Sequence, residues 1–145
     1  MTADIGFIAY TYPRAGPGYF DYYEVCGSFE FQLESVSSKV GVAYDPKQDG
    51  LDFGGLTRDN LYVYTDLSVG IPETPITLNA HLGYTDGSLT FTNDSKSFDW
   101  LSGADWASSS KFIASVAYID AEQDVATGQF NPASITIVAS ISASF

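Results

Sequence analysis

"LYVYTDLSVGIPETPITLNAHLGYTDG", residues 61–87, is the stretch on which the fold turns. Leu61, Val63, Leu67 and Val69 alternate with Tyr62, Tyr64, Asp66, Ser68 and Gly70. After "PETP", Ile76, Leu78, Ala80, Leu82 and Tyr84 alternate with Thr77, Asn79, His81 and Gly83. Period two marks a strand whose successive side chains point to opposite faces. Two such runs joined by a Pro-containing turn predict a β-hairpin. Each run has about ten residues, the length a tilted membrane-crossing strand needs; strands in soluble domains more often have about five or six.

The same alternation extends in both directions and predicts eight strands, at residues 3–12, 20–32, 36–45, 60–71, 75–85, 97–107, 110–120 and 134–145. The connections alternate in length. "PRAGPG", "PKQDGLDFGGLTR", "DGSLTFTNDSKS" and "DAEQDVATGQFNPA" are long, whereas "LES", "PETP" and "ASSS" are tight. In an up-and-down meander the long set falls at one end and the tight set at the other, and outer-membrane barrels share this asymmetry. The expected fold is all-β: a single domain over residues 1–145, an antiparallel up-and-down transmembrane β-barrel of about eight strands.

The two faces carry different chemistry. One is aliphatic in mid-strand and nearly free of charge. The other bears Glu24, Lys39, Tyr62, Tyr64, Asp66, His81 and Lys111, with Asp99 and Asp105 if the sixth strand keeps the phase. A soluble barrel hides its apolar face, and a membrane barrel turns it outward. Ser, Thr, Gly, Asn and Tyr dominate the polar face, where water-facing strands usually carry many Lys and Glu, so the outward-apolar arrangement is expected. Lys39 and Lys111 are then the natural partners of Glu24, Asp66 and Asp99 in a lumenal polar network, since an isolated buried charge is costly.

Aromatics cluster near strand ends. Tyr10, Tyr44, Tyr62, Tyr84, Trp100 and Tyr118 lie toward the long loops, and Trp106 and Phe145 toward the tight turns. Apart from lumenal Tyr62, these are the expected membrane-interface residues, in two girdles. In the closing "SITIVASISASF", residues 134–145, Ile and Ala would face lipid and Ser and Thr the interior. Its terminal Phe145 resembles the signal by which the bacterial assembly machinery recognises outer-membrane barrels.

Composition narrows the partners. Among 145 residues, 15% are aromatic and only 17% charged, and the net charge is -12. Nucleic acid is not an expected partner, because a basic patch is lacking. Cys26 is the sole cysteine and His81 the sole histidine, which excludes an intrachain disulfide, a CxxC motif and a multi-histidine metal site. No Gly-x-Ser-x-Gly or HExxH motif is present, so neither enzymatic activity nor a cofactor is expected. The acids of "DPKQDGLDFGG" miss EF-hand spacing.

"GFIAYTYPRAGPGYFDYYEVCGSFEF", "SSKVGVAYDPKQ", "DNLYVYTDLSVGIPETPITLNAHLGYTDG" and "SFDWLSGADW" together resemble, in this order, the TorF family of porins, which are bacterial outer-membrane proteins. The resemblance runs from about Ile5 to the C-terminus and implies an outer-membrane location and a role as porin or passive transporter. Family members begin with a signal peptide and several further strands ahead of the segment matching "IGFIAYTYP". "MTADIGF" has neither a basic n-region nor an apolar h-region, so this chain matches the C-terminal portion of the family pattern. Expected partners are a lipid bilayer or detergent, the assembly machinery acting on the C-terminal strand, and further copies in a homo-oligomer. Eight strands leave room for lumenal side chains or one small ligand, whereas aqueous channels have about sixteen. The competing reading is a soluble eight-stranded β-barrel carrier that holds a small apolar ligand.

Overall fold

The computed structural model describes residues 1–13, 20–52, 58–90, 92–109, 111–124 and 134–144. Eight strands form: β1 (Thr2–Tyr10), β2 (Tyr22–Leu33), β3 (Val36–Asp45), β4 (Asn60–Gly70), β5 (Ile76–Gly87), β6 (Lys96–Ser109), β7 (Phe112–Ala121) and β8 (Thr136–Ala143). Their ends lie within two residues of those expected from the alternation. A 3₁₀ turn at Asp49–Leu51 follows β3.

The strands form one sheet in the order β1-β2-β3-β4-β5-β6-β7-β8, and each neighbouring pair is antiparallel. The tight connections are local solutions to chain reversal. Leu33 pairs with Val36 across the two-residue loop Glu34–Ser35, where Glu34 takes a positive φ of 53°. Between β4 and β5, the Thr74 N–H donates to the Ile71 carbonyl at 3.2 Å, and the Ile71 N–H donates to the Ile76 carbonyl at 2.9 Å. Glu73 there has φ 59°. The β6–β7 pairing shifts register between Ala107 and Ser109, a bulge at the tight-turn end.

Among the described residues, strands touch only their sequence neighbours, and β1 makes no contact with β8. The sheet is open, with β1 and β8 as its edges. Because the strand number is even, the two edges run antiparallel to each other.

Directly opposed residues share a face, so the register assigns every strand side chain. Val25, Val42, Val63, Leu82 and Trp100 belong to one face, and Tyr62, Tyr64, Asp66, His81 and Asp99 to the other. The apolar face is exposed along its length, at Phe7, Val25, Val40, Val42, Val63, Leu67, Leu78, Leu82 and Val116 among others. The polar face is half-buried in the central strands, and Gly41, Asp45, Asn60 and Gly83 on it are buried. A flat sheet would shade both faces equally, so this difference marks a sheet curved toward its polar side. Residues of β8 are exposed on both faces, as befits an edge strand with nothing across from it.

Among the described residues, the buried apolar side chains are Ala43 and Leu51 alone. Leu51 belongs to the 3₁₀ turn that packs against β2. The chain exposes 10103 Å², where a folded monomer of 15.6 kDa typically exposes roughly 7,000 Å². The fold keeps its apolar surface outside. Among the described residues, no helix is long and apolar enough to cross a membrane, which says nothing of crossing by strands.

Candidate functional site on the polar face

The centre of the polar face is built by β4, β5 and β6. His81 lies opposite Asp66 on β4 and Leu101 on β6, and Asp99 lies one alternation away, opposite Gly83. The imidazole bridges two carboxylates: Nδ1 is 2.6 Å from Asp66 Oδ1, and Nε2 is 3.1 Å from Asp99 Oδ1. The Tyr62 hydroxyl is 2.8 Å from His81 Nε2 and donates to Asp99 Oδ1 at 3.2 Å in the alternative pairing. A neutral imidazole has one N–H, so it serves one carboxylate; an imidazolium serves both.

These groups remain accessible. The side chains of His81, Asp66 and Asp99 are 24%, 43% and 34% exposed, so water and small solutes reach them from the concave side.

Two tyrosines form a floor beside the imidazole. The Tyr62 and Tyr64 rings are 5.5 Å apart between centroids and 22° from parallel, and the His81 ring lies 5.9 Å from Tyr64 and 6.5 Å from Tyr62. Glycine makes this possible. A Cβ on Gly41 would overlap the Tyr64 ring, and one on Gly83 would overlap the Tyr62 hydroxyl and the Asp99 carboxylate. The rings therefore lie over bare backbone of the neighbouring strands instead of standing away from the sheet.

Lys39 occupies the other side of this floor. Its Nζ sits 5.7 Å from the Tyr64 ring centroid, a cation–π distance. On its two flanks Lys39 is opposite Glu30 on β2 and Asp66 on β4. Toward the tight turns the polar row continues: Ser68 Oγ donates to Asn79 Oδ1 at 2.7 Å, and Asn79 Nδ2 donates to Asp105 Oδ2 at 2.8 Å. Toward the long loops, Asn60 Nδ2 donates to Asp45 Oδ2 at 3.3 Å, whereas Asp45 Oδ1, also buried, has no partner among the described residues.

The network expected from the sequence is thus partly assembled. Tyr62, Tyr64, Asp66, His81 and Asp99 come together, and Lys39 adjoins them. Glu24 lies farther along the same face, opposite Ile8 of β1 and half-buried. Lys111 sits in the β6–β7 turn, separated from the level of Asp99 by the length of β7, about 30 Å at strand rise. Of the partners expected for Lys39 and Lys111, namely Glu24, Asp66 and Asp99, that geometry takes Asp99 out of reach of Lys111. His81 is the bridging group instead, and Glu30 is a further neighbour of Lys39 that face chemistry alone did not single out. Cys26 is a free thiol on this face, opposite Gly6 and Ala43.

The polar face is not uniformly polar. In the row through His81, the next positions are Leu101 on β6 and Ile119 on β7. Ile113, Ala117 and Val138 lie on the same face. The concave side therefore carries a short apolar strip, Leu101, Ile119, Ala117 and Val138, bordered by Asp99 and Asp105 on β6, Ser115 on β7 and Thr136, Ser140 and Ser142 on β8.

The expected interface aromatics divide similarly. Tyr44, Tyr84, Trp100, Trp106 and Tyr118 are on the apolar face. Tyr84 packs against Phe98 at 4.9 Å, and Tyr44 donates its hydroxyl to Asp59 at 3.0 Å. Tyr10 does not join them. It lies opposite Tyr22 on the polar face, the two rings stacked at 4.4 Å, because β1 turns Ile5, Phe7 and Ala9 outward. Phe145 lies outside the described residues, so the structure does not place it. Among the described residues, no group of three or more His, Cys, Asp and Glu side chains is arranged to hold a metal ion.

The chain matches, over residues 1–145, the family model described as "Bacterial protein of unknown function (Gcw_chp)". No curated protein matches it. No solved structure matches it either.

Proposed function

We propose, for a chain that belongs to the Gcw_chp family of bacterial proteins, that it forms a transmembrane β-barrel of the outer membrane and serves passive passage of solutes, in keeping with its resemblance to TorF porins. The observation that carries this reading is the burial pattern: aliphatic side chains are exposed along the convex face, while Asp, His, Asn and Tyr are sheltered on the concave one. In water such an exterior is unfavourable by about 25 cal/mol for each Å² of apolar surface. Facing lipid, it costs nothing. A soluble carrier requires the opposite burial.

Strand length and aromatic placement support the same setting. Strands β1 to β7 have 9 to 14 residues, enough to cross a tilted hydrocarbon layer. Trp100 and Trp106 on the outward face of β6 are six residues apart, about 20 Å along the strand, which fits within an apolar band about 25 Å tall. In a bilayer the free backbone groups of β1 and β8 must be paired, since no water is there to satisfy them. In the membrane form those edges therefore meet.

The test is refolding into detergent or lipid vesicles. Heat-modifiable gel migration and conductance steps in a planar bilayer are expected. A monodisperse, detergent-free monomer with no conductance would overturn the proposal in favour of the soluble carrier.

A further inference from the structure

We propose that the concave face carries a binding site for organic cations, solutes with an ammonium head and an apolar body. This rests on reading that face as the lumen wall. The head is received by Asp66 and Asp99 over the Tyr62–Tyr64 floor, and the body lies along Leu101 and Ile119.

The hydrogen bonds leave acceptors open. His81 Nδ1 is 2.6 Å from Asp66 Oδ1, and Nε2 is 3.1 Å from Asp99 Oδ1. The single Tyr62 hydroxyl proton serves either His81 Nε2 at 2.8 Å or Asp99 Oδ1 at 3.2 Å, but not both. Among the described residues both carboxylates are engaged through Oδ1, and Oδ2 of each accepts no hydrogen bond. A solute ammonium brings three N–H donors and a positive charge to carboxylates that remain open to solvent.

The aromatic floor is an independent indication, because π faces attract cations. The chain already uses it this way: the Lys39 ammonium sits over Tyr64 beside Asp66. The rings lie flat over Gly41 and Gly83, and among the described residues a cation sits over Tyr64 but not over Tyr62.

The apolar strip selects an organic solute over a bare ion. Leu101 is directly opposite His81, Ile119 is directly opposite Leu101, and Ile119 is 37% exposed. Leu101 thus lies two residues along β6 from Asp99, about 7 Å, and two strand spacings from Asp66, about 10 Å, the reach of a short aralkyl ammonium ion. An eight-stranded enclosure has room for one such ligand.

His81 is the sole histidine, so its ring signals in an NMR spectrum of the refolded full chain in zwitterionic micelles report the site without assignment. Titration with 2-phenylethylammonium is expected to move them saturably. Methylammonium, with no apolar body, binds about tenfold more weakly, and so does 2-phenylethylammonium to the Asp66→Asn, Asp99→Asn double variant. Leu101→Ser weakens the aralkyl ion but not methylammonium. If the double variant fails to refold, as judged by heat-modifiable migration, Asp99→Asn alone supplies the comparison, being nearly isosteric. The proposal is overturned by signals that do not saturate, by unchanged affinity in the carboxamide variants, or by equal binding of 3-phenylpropionate. Binding without bilayer conductance would instead remove the passage role and leave the site standing.

Discussion

At the scale of single residues, the informative positions are glycines that face tyrosines. Gly41 and Gly83 hold no side chain because Tyr64 and Tyr62 occupy the space a Cβ would take. Gly41→Ala is expected to lift the Tyr64 ring and cost about 1–3 kcal/mol, the range for overpacking. Urea unfolding of the vesicle-inserted protein measures it, and an unchanged midpoint would show that the ring does not lie there. His81→Asn removes the bridge between Asp66 and Asp99. Since all three groups are partly exposed and screened, the expected loss is only about 1 kcal/mol, read in the same assay. The polar cluster was legible in the sequence as a set of residues sharing one face. Its wiring was not, because the partner of a charge depends on which residue stands opposite it. Register places His81 beside Asp66 and sends Lys111 to the far end of the sheet.

At the scale of elements, alternation located all eight strands to within two residues and assigned the phase of β3, β4, β5 and β8 as observed. It also anticipated Asp99 and Asp105 on the polar face. It was less informative where a strand is apolar on both sides. β7 presents Ile113, Ala117 and Ile119 to the concave face and Val116 and Tyr118 to the convex one, so a two-letter polar/apolar pattern does not reveal the strip beside His81. Tyr10 was misassigned for a related reason: with Ile8 inside and Phe7 outside, β1 has no clean period to set its direction. A charge on the convex face separates the two environments proposed for these strands. Leu82→Arg, mid-strand and exposed, should cost about 2–4 kcal/mol in lipid. On a water-exposed surface the same change stays within about 0.5 kcal/mol. Comparing unfolding of the variant and the parent chain in vesicles decides between them.

At the scale of the whole molecule, two features of the described residues ask for completion: almost no apolar residue is buried, and two strand edges have no strand beside them. Both would be met by the proposed insertion into a bilayer with β1 against β8. With Cys26 replaced by Ser, a cysteine at Phe7 paired in turn with one at Ile137, Ala139 or Ile141 is expected to cross-link within one chain for at least one pair in lipid vesicles. These positions all face outward. Cross-linked dimers in place of cross-linked monomers would mean that each edge takes its neighbour from a second copy. The unpaired edges were not foreseeable from the alternation, which reports how a strand is oriented but not whether the first and last find each other.

Because, among the described residues, each strand touches only the strands next to it in sequence, the molecule tolerates edits of different sizes very unequally. Loss of one residue within β4, such as Thr65, would reverse the facing of the rest of that strand relative to its partners, turning apolar side chains inward and acids outward. Loss of an entire hairpin leaves the orientation of every remaining strand unchanged and keeps both chain ends on the same side. The smallest unit that can be added or removed without corrupting the rest is a pair of strands. The width of the sheet can therefore change in steps of two strands while the Tyr62–His81–Asp99 surface is carried along intact.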